Sequence, residues 1–163
     1  MDRLWTPWRF AYLTQSGPKS ECIFCAKSAA QDDEANLIVY RGRECFVLLN
    51  LFPYNNGHVM IAPYAHVATL AEASDRALIE MTMLLRETEE HLRAIYQSPG
   101  FNLGMNIGES AGAGVAGHIH MHMLPRWQGD ANFMTTVGET RILPEDLQTT
   151  WTKLRQAFQS RAR

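Results

Sequence analysis

The sequence predicts a single α+β domain built on a five-stranded antiparallel sheet, with one long helix and a C-terminal helix. Three observations carry this. Short apolar or alternating runs at Leu37–Tyr40, Cys45–Leu49, His58–Pro63, Phe101–Ile107 and His118–Leu124 have strand length and are separated by turn residues. The stretch Ser74–Gln97 carries Leu78, Met81, Leu84, Leu85 and Leu92 at helical spacing. Finally, 163 residues with 46% hydrophobic content suffice for one domain with its own core, and no repeat, linker or low-complexity tract divides residues 1–163.

Taken in order, the first two runs lead to Asn55-Asn56-Gly57, a turn that joins the second and third strands as an antiparallel hairpin. The long helix takes Ser74 or Asp75 as its cap and stops at Pro99-Gly100, because Ser98 is disfavoured from helix by the proline that follows. The fourth and fifth strands follow, the latter ended by Pro125. The last helix is expected from Pro144-Glu145-Asp146 to about Gln159, its first-turn carboxylates facing the positive end of the helix dipole.

Charge and composition exclude several function classes. A net charge of -2 offers no nucleic-acid groove and no attraction to an anionic membrane. No apolar run approaches a membrane span, and an N-terminus with Asp2, Arg3 and tryptophans lacks a signal-peptide core. The three cysteines are an odd number, two of them set as Cys22-Ile23-Phe24-Cys25. That usage suits a reducing cytoplasm and a metal or redox site rather than a disulfide framework.

The chemistry concentrates at Gly117–Trp127, where His118, His120 and His122 alternate with Ile119, Met121 and Met123. Alternate side chains of an extended strand share a face, so half of the chain's six histidines converge. As mere core, each would have to be desolvated and given its own partner. Imidazole can instead act as nucleophile, proton carrier or metal ligand.

This run closely resembles the signature of the histidine triad family of nucleotide hydrolases and transferases. The hairpin from Glu44 to Pro63 and the glycine-rich stretch from Leu103 to Gly117 are similar to that family's central hairpin and phosphate-side loop. The opening Leu4–Arg9 and the segment Pro125–Phe133 resemble a branch that includes bacterial diadenosine tetraphosphate phosphorylases. The resemblance implies a HIT-like fold, a homodimer with joined sheets and cleavage of dinucleoside polyphosphates through a nucleotidyl-histidine. It makes His120 the nucleophile, with His122 donating to phosphate oxygens and helping the leaving group; in its charged form His122 could also help to hold an acceptor anion. Asn106 resembles the family's phosphate-binding asparagine; on local sequence it is equally a turn former before Gly108. Asn50 stands where related proteins hold the ribose hydroxyls with an acidic residue. Leu51 and Phe52 either flank the base or close a strand end, and Trp127 either stacks on a second base or closes the core.

The resemblance also implies a structural zinc. In the branch with an N-terminal C-x-x-C, the remaining ligands fall on His66 and His118, completing a set with Cys22 and Cys25 that would anchor residues 1–30. A redox pair or simple buried thiols are the alternatives. His58 is expected to hydrogen-bond inside the site or core, Cys45 to be core, and His91 to lie on the polar side of the long helix. One departure matters: many family members carry glutamine or serine where this chain has Gly114. Its backbone N–H could cradle an anion. The second-step acceptor is then water, giving a hydrolase, or inorganic phosphate, giving a phosphorylase, toward which the Trp127–Phe133 resemblance leans. Nucleoside phosphoramidates compete as substrates, and a zinc-stabilised nucleotide-binding module without turnover is the non-enzyme alternative.

Overall fold

Cys45–Leu49 is apolar at every position, as is Val59–Pro63. In the computed structural model of the chain, which describes residues 22–131, 135 and 143–161, both form central strands buried on both faces. The elements run α1 (Ile23–Ala29), β1 (Ile38–Arg41), β2 (Cys45–Leu49), β3 (Val59–Pro63), α2 (Asp75–Tyr96), β4 (Gly100–Gly104), a 3-10 turn (Glu109–Ala111), β5 (Met121–Arg126) and α3 (Leu147–Arg161). The five strands form one antiparallel sheet in the order β1-β2-β3-β5-β4. The expected α+β class holds. The opening Leu4–Arg9, residues 1–21 of the N-terminal segment, and Asn132 and Phe133 lie outside the described residues.

Alternation along β2 divides the core. Cys45, Val47 and Leu49 pack with Val59, Ile61, Ile119 and Met123 against Met81, Leu84, Leu85 and Leu92 of α2. Phe46 and Leu48 face the other way, with Ile38, Met60, Ala62 and Phe24 of α1. The helix that covers the first face starts at Ser74, whose hydroxyl accepts the Ala77 N–H (3.1 Å), and ends at Gln97 in left-handed geometry before Pro99. Glu80 of α2 accepts N–H groups from Arg43 and Cys45 (2.9 and 2.7 Å), tying the β1–β2 turn to the helix.

Differences from the sequence expectations have local causes. α1 was not anticipated, because seven residues give too little periodicity to distinguish helix from loop. The third strand begins at Val59, since the His58 N–H returns to the Asn55 carbonyl (3.2 Å) and closes the turn. Gly57 has φ +73° there, and a Cβ would stand 2.9 Å from Leu92 Cδ2, so the hairpin requires glycine. The fourth strand stops at Gly104, leaving Asn106 in the following loop. β5 starts at Met121 rather than His118: its pairing with β3 stops at Ile61–Met121, and the Ile119 N–H bonds to the Val67 carbonyl (2.8 Å) instead of continuing the ladder. Pro125 continues β5 opposite Phe101, beyond the start of β3, where a missing N–H leaves no ladder bond unmade. α3 starts at Leu147, capped by Asp146 accepting the Thr149 N–H (2.8 Å), so Pro144 and Glu145 precede it.

Candidate functional site

The face of the sheet opposite α2 carries the three alternating histidines. His118 and His120 lie just ahead of β5, and His122 is within it. Their rings stay on one side, the His120 and His122 centroids 4.9 Å apart, while Ile119 and Met123 enter the α2 core. Phe24 of α1 packs on this row, 4.6 Å from the ring of His120 and 5.2 Å from that of His118.

Backbone groups assign the ring protons. The His118 carbonyl is an acceptor 2.9 Å from His120 Nδ1, so Nδ1 carries the proton and Nε2 keeps its lone pair. The Tyr54 N–H donates to His58 Nδ1 (3.1 Å), which leaves the proton on Nε2; that N–H donates to His122 Nδ1 (2.9 Å). His122 therefore holds its own proton on Nε2. The result is a paired base and donor: a bare nitrogen on His120 beside an N–H on His122.

Burial holds this cluster neutral. His58 is pushed down to about 3, first by desolvation and then by His122 and His120; His122 falls to about 4 by desolvation and by His120. Desolvation also lowers His120, opposed by its bond to the His118 carbonyl. The charged His122 expected from the sequence does not fit, because three desolvated imidazoles in contact cannot all be positively charged. At rest His122 offers an N–H dipole rather than a cation.

His120 and His122 open onto a cavity of about 270 Å³. Its floor includes Leu48 and Met60, and Asn50, Leu51, Phe52, Asn106 and Gly114 join the histidines around it. Leu51 and Phe52 are 53% and 48% exposed, so they form its rim rather than core. Asn50 is partly engaged: its Oδ1 accepts the Phe52 N–H (3.0 Å) and its Nδ2 points at His58 Nδ1 (3.3 Å). Gly112, at φ +85°, turns the loop that brings Gly114 to the wall. Trp127 lies elsewhere. Its Nε1–H donates to the Tyr96 carbonyl (3.4 Å) and its ring meets the Tyr96 ring edge-on. Sequence reasoning missed Phe24, Tyr54 and Lys27 on this wall; the spacing of Ile23, Phe24 and Lys27, neighbours on one helix face, was the available signal.

A second constellation adjoins the first. One ligand atom each from Cys22, Cys25, His66 and His118 lies within 4.8 Å of the other three, forming a possible metal site. His118 Nδ1 is 3.4 and 3.6 Å from the two sulfurs, and His66 Nδ1 is 3.3 Å from Cys25 Sγ. A tetrahedron with thiolate and imidazole bonds of ordinary zinc length has mixed edges of about 3.5 Å, so the donors fit that geometry. The Pro63 carbonyl accepts His118 Nε2–H (2.8 Å), leaving Nδ1 bare for a metal.

Comparison with known proteins agrees. The HIT domain family matches residues 31–129, which include the hairpin, the glycine loop and all three alternating histidines. The chain is 37% identical over 157 residues to the AP-4-A phosphorylase of Mycobacterium tuberculosis, covering 92% of this chain and 80% of that one. Among solved structures, a Zn-bound histidine triad family protein from Mycobacterium smegmatis superposes with TM-score 0.68 at 24% identity, over 90% of this chain and 98% of that one. The Plasmodium falciparum diadenosine triphosphate hydrolase shares the fold at TM-score 0.61 and 13% identity, over 79% and 77%. With the match spanning the triad and its supporting hairpin, and a relative at 37% identity along almost the whole chain, this protein belongs to the HIT domain family.

Proposed function

We propose that this chain cleaves dinucleoside polyphosphates through a nucleotidyl-histidine on His120 and passes the nucleotidyl group to inorganic phosphate. The observation that carries the reading is the protonation of the triad, with a bare His120 Nε2 beside an N–H on His122 at the cavity wall. In the first step the His120 Nε2 lone pair attacks the α-phosphorus and the bond to the bridging oxygen breaks. The His122 Nε2–H stabilises the leaving oxygen, and the His58 Nε2–H, donated across the 2.9 Å contact, holds His122 in the tautomer that presents that donor. In the second step a phosphate oxygen attacks phosphorus, the P–N bond breaks and His120 is regenerated. Asn106 and the backbone at Gly114 would hold the phosphates, Leu51 and Phe52 would flank the base, and Asn50 would meet the ribose with what its existing bonds leave free.

The preference for phosphate over water as acceptor is supported by Gly114 at the wall and by the 37%-identical relative named AP-4-A phosphorylase. A zinc ion held by Cys22, Cys25, His66 and His118 would be structural, tethering α1 to the strand that carries the nucleophile. Two copies would join their sheets at β4. Cys22, Cys25 and Cys45, none of them in a disulfide, go with a reducing, cytoplasmic setting.

Product analysis tests the reaction. With diadenosine tetraphosphate, millimolar phosphate should accelerate breakdown and give ADP plus ATP. AMP plus ATP with no ADP would make the protein a hydrolase. Saturable nucleotide binding with no covalent adduct would leave a nucleotide-binding module instead.

A further inference from the structure

The cavity has two chemically different ends. Sheet register sets His122 beside Met60, Met60 beside Leu48 and Leu48 beside Ile38. Three strand spacings put the Ile38 end about 14 Å from the histidines. The phosphates belong at the histidine end, so a nucleotide lying across Met60 and Leu48 points its base toward β1. The side chain that closes that end is Lys27. It follows Ile23 and Phe24 on one face of α1, lines the cavity, and donates to the Asn36 carbonyl (3.1 Å), two residues before β1.

That bond holds the ammonium in place without exhausting it. An ammonium has three donors, and among the described residues Lys27 spends one, on Asn36. Among the described residues that line the cavity, Lys27 is the one lysine, arginine or carboxylate. We propose that Lys27 reads the base and makes the pocket prefer a 6-oxopurine. Guanine presents two acceptors on one edge, O6 and N7, that match a cation. Adenine places an amino donor beside N7, which would face the ammonium donor to donor. Helix-end stabilisation accounts for a lysine in the last turn, but not for its contact with the cavity.

The inference rests on the cavity being the nucleotide site, and the test separates the two. Calorimetry on the metal-loaded chain should find GMP bound about tenfold more tightly than AMP, as for a hydrogen bond to a charged group. Lys27→Met, which keeps the apolar stem, should bring that ratio near one, and Lys27→Arg should retain it. Should Lys27→Met fail to fold, Lys27→Gln and the ratio in the parent protein decide. Equal binding of GMP and AMP, or a preference that survives Lys27→Met, overturns the proposal. Turnover of diguanosine and diadenosine tetraphosphates supplies the second arm. If neither is cleaved while a Lys27-dependent GMP preference persists, the proposed reaction falls and the base reading stands. Equal kcat/KM for both overturns the base reading and leaves the reaction intact.

Discussion

His120 and His58 owe their chemistry to backbone atoms two and four residues away in sequence. The middle position of the alternating run marks His120, and the sequence made that much legible. What it could not display is which nitrogen is bare, because that depends on how each ring is turned against the carbonyl of His118 and the N–H of Tyr54, and the hairpin and β5 must lie side by side before His58 can set the tautomer of His122. Removing the attacking atom should abolish turnover while leaving most ground-state contacts. His120→Ala is expected to lose at least about a thousandfold in kcat, about 4 kcal/mol of barrier, with nucleotide binding largely kept. Residual activity within about tenfold of the parent would place the nucleophile elsewhere. His58 makes a separate prediction about stability. In the unfolded chain its imidazole takes a proton below about 6.5, but in the fold only near 3, so stability falls as pH drops through that window and is untouched above it. A group protonated only when unfolded contributes a slope of at most about 1.4 kcal/mol per pH unit. His58→Gln should flatten the pH dependence of urea unfolding by up to that amount below pH 6.5, and parallel curves would show that His58 is protonated in the native state.

At the scale of elements, strong periodicity was readable and short pairing was not. β2, β3 and α2 fall within a residue of their expected bounds because long apolar runs and a Ser74 cap define them locally. β5 begins three residues late because the segment before it turns to the Val67 carbonyl, a partner distant in sequence, instead of pairing with β3. α1 depends even more on tertiary context. Its Cys22 and Cys25 reach the His66–His118 pair, and Phe24 between them packs on the ring of His120. A metal there would stiffen the wall behind the nucleophile. Cys25→Ser is therefore expected to abolish zinc binding and cost ~3 kcal/mol, lowering the melting temperature by about 10 °C. Adduct formation should slow with it, although no ligand touches the substrate. Metal analysis and thermal melts check this; an unchanged melting temperature, or a parent protein that copurifies with no zinc, would refute the structural role.

At the scale of the whole molecule the two sheet edges are treated differently. α3 covers β1: Trp151 Nε1–H donates to the Ile38 carbonyl (2.9 Å), Arg155 to the Val39 carbonyl (3.1 Å), and Leu154 and Phe158 seal the core. β4 lies at the other end of the strand order, with Asn102, Leu103 and Gly104 exposed and Leu103 at 52% exposure. A free edge with an exposed leucine is a template for strand addition unless a charge blocks it, and the residues of β4 carry none. The sequence offered the strand but not its position, since edge or centre is decided by the crossover that inserts β5 between β3 and β4. Two copies pairing at β4 would make a continuous sheet and bring their histidine rows into one assembly. Leu103→Lys puts a buried ammonium at such a junction and leaves the monomer core untouched, because Leu103 is on the surface of the single chain. Light scattering should show the parent as a dimer and Leu103→Lys as a monomer, with the melting temperature of the parent becoming concentration-dependent and that of the variant not. A parent that sediments as a monomer at micromolar concentration, or a variant that dimerises as well as the parent, would mean that β4 is simply a solvent-facing edge.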